Sequence, residues 1–281
     1  MVASQEPGST APAPWRSLFL EHIGTMKLPT FVLSTLHPAR TSGDSVAAAH
    51  PRARTCVFRG LWAELPPAGD RNPAPRNPPL YASDLPAFTT DARMQKAPEI
   101  AGSGGGGPVE AVFWAPGAQT QWRVRGAAWV LGPDADGEGD EAARAALLAR
   151  MRRRSASAGE AGGKEEEEER HWSWAREVTG HFGNLAPGMR GSFRNPPPGT
   201  PRNVPPGEGE GLGQKVEDLE DPLARENFRV VVIVPEEVDQ VDLSDPEDVR
   251  RYLYTYVGPA GKVLHDGAEI VGEWEKVELW P

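Results

Sequence analysis

The sequence predicts a mainly β fold (α+β in detail), in which a barrel or a sandwich of strands is flanked by a few helices. Six or more short runs rich in β-branched and aromatic residues are separated by turn residues, a pattern typical of barrels and sandwiches rather than of alternating β–α units. A chain of 281 residues, 38% of them hydrophobic, can bury a sizeable core. The excess of glycine (31 residues) and proline (29 residues) indicates loops that interrupt this framework.

The strand candidates follow one another along the chain with turn residues between them. The run from Phe228 to Val234 (FRVVVIV) is the strongest of them. Residues 109–114 and 121–131 are expected to form a hairpin through the turn APGAQ. The other strands are expected at 30–36, 54–62, 80–81 with 87–90, 251–257 and 273–279.

Four segments are expected to be helical. Between Pro14 and Gly24, apolar residues recur at helical spacing on one face. Proline suits the first turn of a helix and glycine suits its end, so we expect an amphipathic helix over 14–24 that packs on the core. The other helices are expected at 94–100, 141–154 and 171–182.

Several stretches have too few apolar residues to offset the entropy that is lost on ordering. They are the N-terminal tail, 1–13, and four low-complexity segments near 102–107, 133–139, 155–169 and 195–213. We therefore expect a disordered tail followed by one domain over 14–281 that carries disordered loop inserts. Neutral insertion is the favoured interpretation of these segments, and regulatory tethering is the alternative.

Composition excludes several classes of function. The net charge is −10, half of it from the run Glu165–Glu169, and an acidic chain lacks the basic face that a general nucleic-acid binder needs. No apolar run is long enough to cross a membrane, and the N-terminus has no signal-peptide pattern. A single cysteine, Cys56, fits a reducing compartment, and the six histidines show no metal-ligand spacing. We expect a cytoplasmic protein that binds neither membrane nor nucleic acid and holds no metal.

The first segment with chemical potential is RTCVFRG, residues 54–60. Arg54 and Arg59 lie on an otherwise apolar strand, where a buried guanidinium is costly unless an anion pairs with it. The planar fork of arginine matches phosphate oxygens, so a phosphate partner is one explanation. Positions five apart face opposite sides of a straight strand, so both can reach one ligand only if Arg59 ends the strand or the chain bends at Gly60. An edge strand with both arginines in solvent is the alternative.

The second segment is TTDARMQK, residues 89–96. Arg93 and Lys96 are three residues apart and share a face if this stretch enters a helical turn. Exposed amides of the turn add donors for an anion. A solvated turn with unrelated charges is the alternative.

The third segment is QWRVRG, residues 121–126. Alternation along a strand places Gln121, Arg123 and Arg125 on one face and Trp122 and Val124 on the other. A glutamine beside arginines can hydrogen-bond a polar heteroaromatic ring. Considered alone, the segment is better explained as a strand with one solvated face.

Taken in this order, the three segments resemble the pyridoxamine 5′-phosphate oxidase-like FMN-binding proteins, and among them the Alr4036-type branch. RTCVFRG, TTDARMQK and FWAPGAQTQWRVRG each match a segment of that pattern. RGSFRNPPPGTP resembles its arginine-then-Pro/Gly segment, and NFRVVVIVPEEVDQVDL, RRYLY and the terminal LWP resemble its late strands. The resemblance covers residues 14–281 apart from the inserts.

The resemblance implies an FMN-binding split β-barrel that forms a homodimer with FMN at the interface. Arg54 and Arg59 would serve the flavin phosphate and adjoining polar groups, and Val57 would offer backbone contacts. Gln121, from the partner subunit, would reach the isoalloxazine ring. The full set of cofactor-binding residues implied by the resemblance is Arg54, Val57, Arg59, Thr90, Arg93, Lys96, Gln121 and Arg251.

The resemblance further implies a flavin-dependent oxidoreductase with a small-molecule substrate that the sequence does not define. The alternative on the same fold is a non-catalytic flavin-binding or interaction protein. Glu247 and Val249 stand where pyridoxamine 5′-phosphate oxidases hold their substrate with an arginine and a histidine. A carboxylate there would repel a substrate phosphate, so that particular oxidase reaction is not expected. Met94 stands where the branch has a serine at the phosphate end.

Overall fold

The computed structural model describes residues 11–37, 49–65, 72–102, 106–154 and 171–281. Its helices are α1 (Arg16–Gly24), α2 (Lys96–Ala101), α3 (Glu141–Leu148), α4 (Trp174–Gly183), α5 (Pro187–Gly191) and α6 (Pro222–Asn227). Its strands are β1 (Thr30–His37), β2 (His50–Leu61), β3 (Tyr81–Ser83), β4 (Pro86–Asp91), β5 (Gly107–Ala115), β6 (Thr120–Leu131), β7 (Met151–Arg153), β8 (Phe228–Asp242), β9 (Arg250–Tyr256), β10 (Glu269–Val271) and β11 (Trp274–Leu279).

Six of these strands close into an antiparallel barrel. Their order is β8-β4-β2-β1-β5-β6, and β6 pairs again with β8 to complete the circle. The hairpin predicted through APGAQ is the β5–β6 pair, in register from Gly107–Ala128 to Ala115–Thr120. The prediction of a mainly β fold with flanking helices is therefore confirmed, and its form is a closed six-stranded barrel.

The barrel splits at β8. The first half of this strand pairs with β4 and its second half, from Glu237, pairs with β9, while β6 runs along the other edge of both halves. The change of partner coincides with a bulge at Pro235, which has no N–H to donate. Gly126 lies opposite, where a Cβ atom would stand 2.0 Å from the Val234 carbonyl oxygen, so a side chain cannot replace it. Strands β9, β11 and β10 extend the sheet beyond the barrel.

Two hydrophobic cores lie on the two faces of the barrel wall. Alternation along β8 sends Val231 and Ile233 into the first core and Val230 and Val232 into the second. The first core fills the barrel, where Phe19 of α1 packs edge-to-face against several aromatic rings. The second core lies outside β4, β6 and β8 under the α3 and α4 helices.

Two expectations need correction. The helix expected over 141–154 ends at Leu148, because residues 151–153 leave it to pair with β3 as strand β7. The segment 195–213 was expected not to pack, yet it lies against the barrel, fixed by polar contacts such as the Arg194–Gly209 carbonyl hydrogen bond of 3.1 Å. Hydrogen bonds to its carbonyl groups supply the order that apolar burial does not.

Segment 133–139 is also ordered where it meets helix α4. Asp136 accepts hydrogen bonds from the backbone amides of Trp174 and Ala175 at the start of that helix. The insert expected at 155–169 and residues 1–10 of the expected tail lie outside the described residues, as do residues 103–105 of the insert near 102–107.

Candidate functional site

A cavity of about 720 Å³ lies between the barrel wall and the segment that follows helix α5, within the size range of small-molecule sites. On the barrel side it is lined by Thr55, Cys56, Val57, Arg59, Thr89, Thr90, Asp91, Met94 and Lys96. On the opposite side it is lined by Met189, Ser192, Phe193, Asn195, Pro196, Pro197, Pro198, Gly199, Thr200, Pro201, Arg202, Val204, Pro206 and Leu212. Four of the sequence-predicted site residues (Val57, Arg59, Thr90 and Lys96) are thus brought together here.

Strand β2 places its two arginines, Arg54 and Arg59, on opposite faces. Phe58 points into the barrel core, whereas Thr55, Val57 and Arg59 line the cavity. Gly60 has a φ of 105°, and the register with β4 shifts between Phe58 and Leu61, so the chain does bend there. Arg54 lies on the other face of the strand from Thr55, Val57 and Arg59, and it is not part of the cavity lining.

Arg54 belongs instead to a polar cluster at one end of the barrel, which we call the barrel-end cluster (Thr35, His37, Arg54 and Glu99). The guanidinium of Arg54 donates to the Glu99 carboxylate (Nη2–Oε2, 2.8 Å) and to the Thr35 hydroxyl. His37 Nδ1 lies 2.8 Å from the other carboxylate oxygen. Burial alone would raise the pKa of Glu99, but hydrogen bonds from Thr35, His37 and Arg54 hold it below its ordinary value.

Lys96 is the buried cation of the cavity. It opens helix α2 and is 8% exposed. Its ammonium group donates to Thr90 Oγ1 (3.0 Å) and lies 2.8 Å from Met94 Sδ. In the part of the chain that the structure describes, it forms no ion pair with a carboxylate, and burial is the main cause that lowers its pKa. A buried ammonium without a carboxylate indicates a site for an anion.

Arg59 is the second cation of the cavity. Its Nε atom is buried and has no hydrogen-bond partner among the described residues, and burial lowers the pKa of its guanidinium. Thr55, Thr89 and Ser192 place hydroxyl groups on the same cavity. The arrangement offers two cations and several neutral donors to one ligand, which fits a phosphate-bearing molecule.

Arg93 points out of the cavity. Its guanidinium binds Asp91 (Nη2–Oδ2, 2.8 Å) and Glu210 (Nη1–Oε1, 3.0 Å) and donates to the carbonyl groups of Phe193 and Asn195. The hydrogen bond with Asp91 is the main cause that raises its pKa. All of these contacts of Arg93 are with groups of the protein itself.

Gln121 and Arg251 lie on the opposite side of the barrel. Strand β6 is three strands away from β2 in a circle of six, and Gln121 and Arg251 are both paired in register with Val241 of β8. Arg251 binds Asp239 (Nη2–Oδ2, 2.8 Å), whose carboxylate also accepts from Arg123. Neither predicted residue lines the cavity of its own chain.

Sequence reasoning did not single out the wall formed after helix α5. Asn195 lines the cavity, and its side-chain oxygen is buried without a partner in the described ranges. Five prolines of 196–206 line the same wall, although the same composition favours disorder when read alone. The signal in the sequence was the resemblance of RGSFRNPPPGTP to a family segment, which gave no position for it in the fold.

The comparisons with known proteins agree with this architecture. Residues 12–132, a little under half of the chain, match the family model described as "Pyridoxamine 5'-phosphate oxidase, FMN-binding domain". No curated protein sequence matches the chain significantly. The expectation of FMN as cofactor is confirmed at the level of the matched domain, while assignment to the Alr4036-type branch stays a prediction.

The fold is shared by a solved structure of low sequence identity. A pyridoxamine 5'-phosphate oxidase-related, FMN-binding protein from Nostoc punctiforme is 20% identical, with a TM-score of 0.57 over 97% of this chain and 100% of that one. PhzG from Burkholderia lata, solved with tetrahydrophenazine-1-carboxylic acid, is 13% identical, with a TM-score of 0.38 over 98% and 100% of the two chains. No described helix is long and apolar enough to cross a bilayer.

Proposed function

We propose that this protein is a flavoprotein whose FMN phosphate is bound at the Lys96 end of the cavity, and that it acts as a flavin-dependent oxidoreductase on a small molecule. The observation that carries the proposal is the ammonium group of Lys96, which is buried beside Thr90 and has no carboxylate partner among the described residues. A phosphate would supply the missing negative charge and accept from the Thr90 hydroxyl as well.

The cavity residues fit this cofactor. Lys96 and Thr90 would hold the phosphate, and Arg59, whose Nε has no partner in the described part of the chain, would donate to it or to polar groups of the flavin. Val57 presents its strand backbone to the same space. Two other residues implied by the resemblance, Arg54 and Arg93, are engaged by protein groups. They would therefore affect the cofactor indirectly, Arg54 through the barrel-end cluster and Arg93 through the cavity wall.

Bound FMN supplies a ring that accepts and returns electrons, so the protein need only position its substrate and control access. Asp91 is the one carboxylate among the described lining residues, and Arg93 already occupies both of its oxygens. The side chains of the cavity therefore bind and orient ligands, and Pro197, Pro198 and Val204 give it an apolar wall on the opposite side.

We further propose that two copies of the chain complete each site. Gln121 and Arg251 lie on the barrel face opposite the cavity, so they can reach FMN only in a neighbouring copy. The outer surface of the barrel exposes Trp114 (46%), which pairs in register with Gln121, and Val32 (41%), which pairs in register with Thr55 of the cavity lining. A large aromatic and a large aliphatic side chain in solvent favour a face that a partner covers.

The proposal of FMN binding is tested by the visible absorption spectrum of the purified protein and by chromatography of the chromophore that heat releases. We expect a flavin spectrum and released FMN, or uptake of added FMN by the colourless protein. A protein that holds FAD instead would contradict the proposed size of the cavity. A protein that neither carries nor takes up flavin would contradict the assignment as a whole.

A non-catalytic flavin-binding role is the second candidate, and the occupied carboxylate of Asp91 favours it, because the described lining has no other carboxylate for proton transfer. The two roles differ in turnover. A binding protein releases its flavin unchanged after incubation with reductants, whereas an oxidoreductase shows flavin reduction by one class of small molecule and reoxidation by an acceptor.

Completion of the site by a second copy is tested by mixing two defective variants, Lys96→Met and Arg251→Ala. If each site uses Lys96 of one copy and Arg251 of the other, mixed dimers contain one intact site and one doubly defective site. Random pairing then restores about a quarter of the wild-type FMN sites. Sites built within single chains would remain defective in every mixture.

A further inference from the structure

One wall of the cavity is a single segment, residues 193–212, which we call the cap. More than half of the residues that line the cavity come from this segment and the helix before it. Five prolines of the cap face the cavity, and proline restricts the backbone without donating a hydrogen bond. The cap is therefore a stiff wall with few hydrogen-bond donors, and it faces the polar residues on the barrel side of the cavity.

Beyond Phe193, two large apolar side chains of the cap contribute little to fixing its position. Val204 is 49% exposed and Leu212 is 60% exposed, so hydrophobic burial contributes little to holding these two residues down. The base of the cap is fixed separately, because Phe193 packs against Phe182 and Phe228, and Arg194 binds Asp221 (2.9 Å). A separate attachment joins the two ends of the cap to the turn between β4 and α2.

Arg93 provides this attachment. Its Nη2 atom donates to the carbonyl oxygens of Phe193 (3.3 Å) and Asn195 (2.9 Å), and its Nη1 atom binds Glu210 near the far end of the cap (3.0 Å). The same guanidinium is held from the barrel side by Asp91. One side chain thus joins both ends of the cap to the turn between β4 and α2.

That turn also carries the cation of the proposed phosphate site. Arg93 follows Thr90 by three residues and precedes Lys96 by three, and Lys96 donates to Thr90. Any displacement of the cap that moves Arg93 is therefore transmitted to the residues that would hold the phosphate. A preorganised wall of this kind lowers the ordering cost of binding and slows escape of the ligand.

We infer that Arg93 is a positioning residue that locks the cap over the cavity, and that the lock sets how long FMN is retained and how freely small molecules reach it. The inference rests on the proposed FMN site. It gives Arg93 a mechanical role in place of the direct cofactor contact that its motif implies.

The lock is tested with Arg93→Gln and with Glu210→Gln, which removes the cap-side ion pair and leaves the contact of Arg93 with Asp91 in place. Arg144→Gln is the matched control, because Arg144 also donates to two loop carbonyls, those of Ala135 and Gly137, but far from the cap in sequence. Hydrogen exchange of the backbone amides in 195–212 is measured without flavin, and the dissociation rate of FMN is measured on the loaded proteins.

We expect both cap variants to exchange the amides of 195–212 faster than the wild type, with the amides of β2 and β6 unchanged. FMN should dissociate about tenfold faster from Arg93→Gln and about threefold faster from Glu210→Gln, since binding differences within one site appear mainly in dissociation rates. Arg144→Gln should match the wild type in both measurements over the cap.

Unchanged exchange of the cap in both variants would overturn the lock. Faster exchange with an unchanged FMN dissociation rate would overturn its role in retention. Failure of the wild-type protein to bind FMN would instead contradict the proposed function, and the exchange data would still decide whether Arg93 holds the cap.

Discussion

Helix α2 carries two buried ions that face different regions and have different partners. Glu99, with 2% of its side chain exposed, faces the barrel-end cluster, where Arg54, Thr35 and His37 all contact its carboxylate. Lys96, one turn earlier, faces the cavity, where a threonine hydroxyl and a methionine sulfur are its neighbours. Among the described residues, the chain therefore neutralises one ion of α2 with its own groups and pairs no carboxylate with the other.

The two ions therefore differ in role: Glu99 stabilises the fold, whereas the proposed function gives Lys96 a role in ligand binding. A buried ion surrounded by hydrogen-bond partners joins elements of the fold, and Glu99 joins β1, β2 and α2. A buried ion without an opposite charge weakens the fold unless a ligand compensates it. Substitutions at the two positions should consequently affect different properties of the protein.

The largest effect is expected for Glu99→Ala. It removes the carboxylate and leaves the Arg54 guanidinium with a hydroxyl and carbonyl groups, which should lower the free energy of unfolding by about 3 kcal/mol. FMN binding by the folded fraction should persist, because the substitution removes no group that lines the cavity. Urea denaturation and FMN titration measure the two quantities.

Glu278→Ala is the control for that experiment. Glu278 is an exposed glutamate whose ion pair with Arg250 spans 3.5 Å, so its loss should change stability by less than about 0.5 kcal/mol. Equal losses for the two glutamates would remove the structural role assigned to the barrel-end cluster.

A smaller effect, on binding and not on folding, is expected for Lys96→Met. Loss of a charge-assisted contact to phosphate should weaken FMN by about 2 kcal/mol, close to 30-fold. The apoprotein should be as stable as the wild type or more so, because an uncompensated buried charge is replaced by an apolar group of similar length. Fluorescence titration of FMN and urea denaturation of the apoprotein check both statements.

Lys276→Met is the matched control, since Lys276 is a surface lysine that lies 3.6 Å from Glu269. It should leave FMN affinity unchanged. A stability loss at Lys96 with no change in FMN affinity would make this lysine structural, and the contrast between the two ions of α2 would disappear.

The fold was predictable because its signals are local. The β5–β6 hairpin was expected at 109–114 and 121–131 and is observed at Gly107–Ala115 and Thr120–Leu131, since alternation and a short turn determine it within one stretch of chain. The short β7 strand was missed, because helical residues lead directly into it and its partner β3 is some 70 residues away. Pairing over that distance leaves no local pattern.

The site was only partly predictable for the same reason. Arg54 and Arg59 belong to one motif, and strand geometry shows that they face opposite sides. Which of them meets the cavity depends on Glu99, 45 residues after Arg54, whose carboxylate occupies the first arginine. The partners of Arg93 are more distant still, since Glu210 follows it by 117 residues. A motif identifies the residues that matter, whereas their partners decide what each one does.

The smallest effect is a change with pH in the contribution of Glu99. Hydrogen bonds hold the pKa of Glu99 lower in the folded protein than in the unfolded chain, so its contribution is fully present above the unfolded-state pKa and is lost as pH falls through the folded-state pKa. The difference in free energy of unfolding between Glu99 and Glu99→Gln proteins should be constant from about pH 7 to about pH 5 and shrink below about pH 4. Urea denaturation of the two proteins at each pH measures this difference. A difference that grows in acid would mean that the fold stabilises the protonated form of the Glu99 carboxyl group. Glu99 would then resemble Lys96, as a buried group whose charge the fold does not compensate.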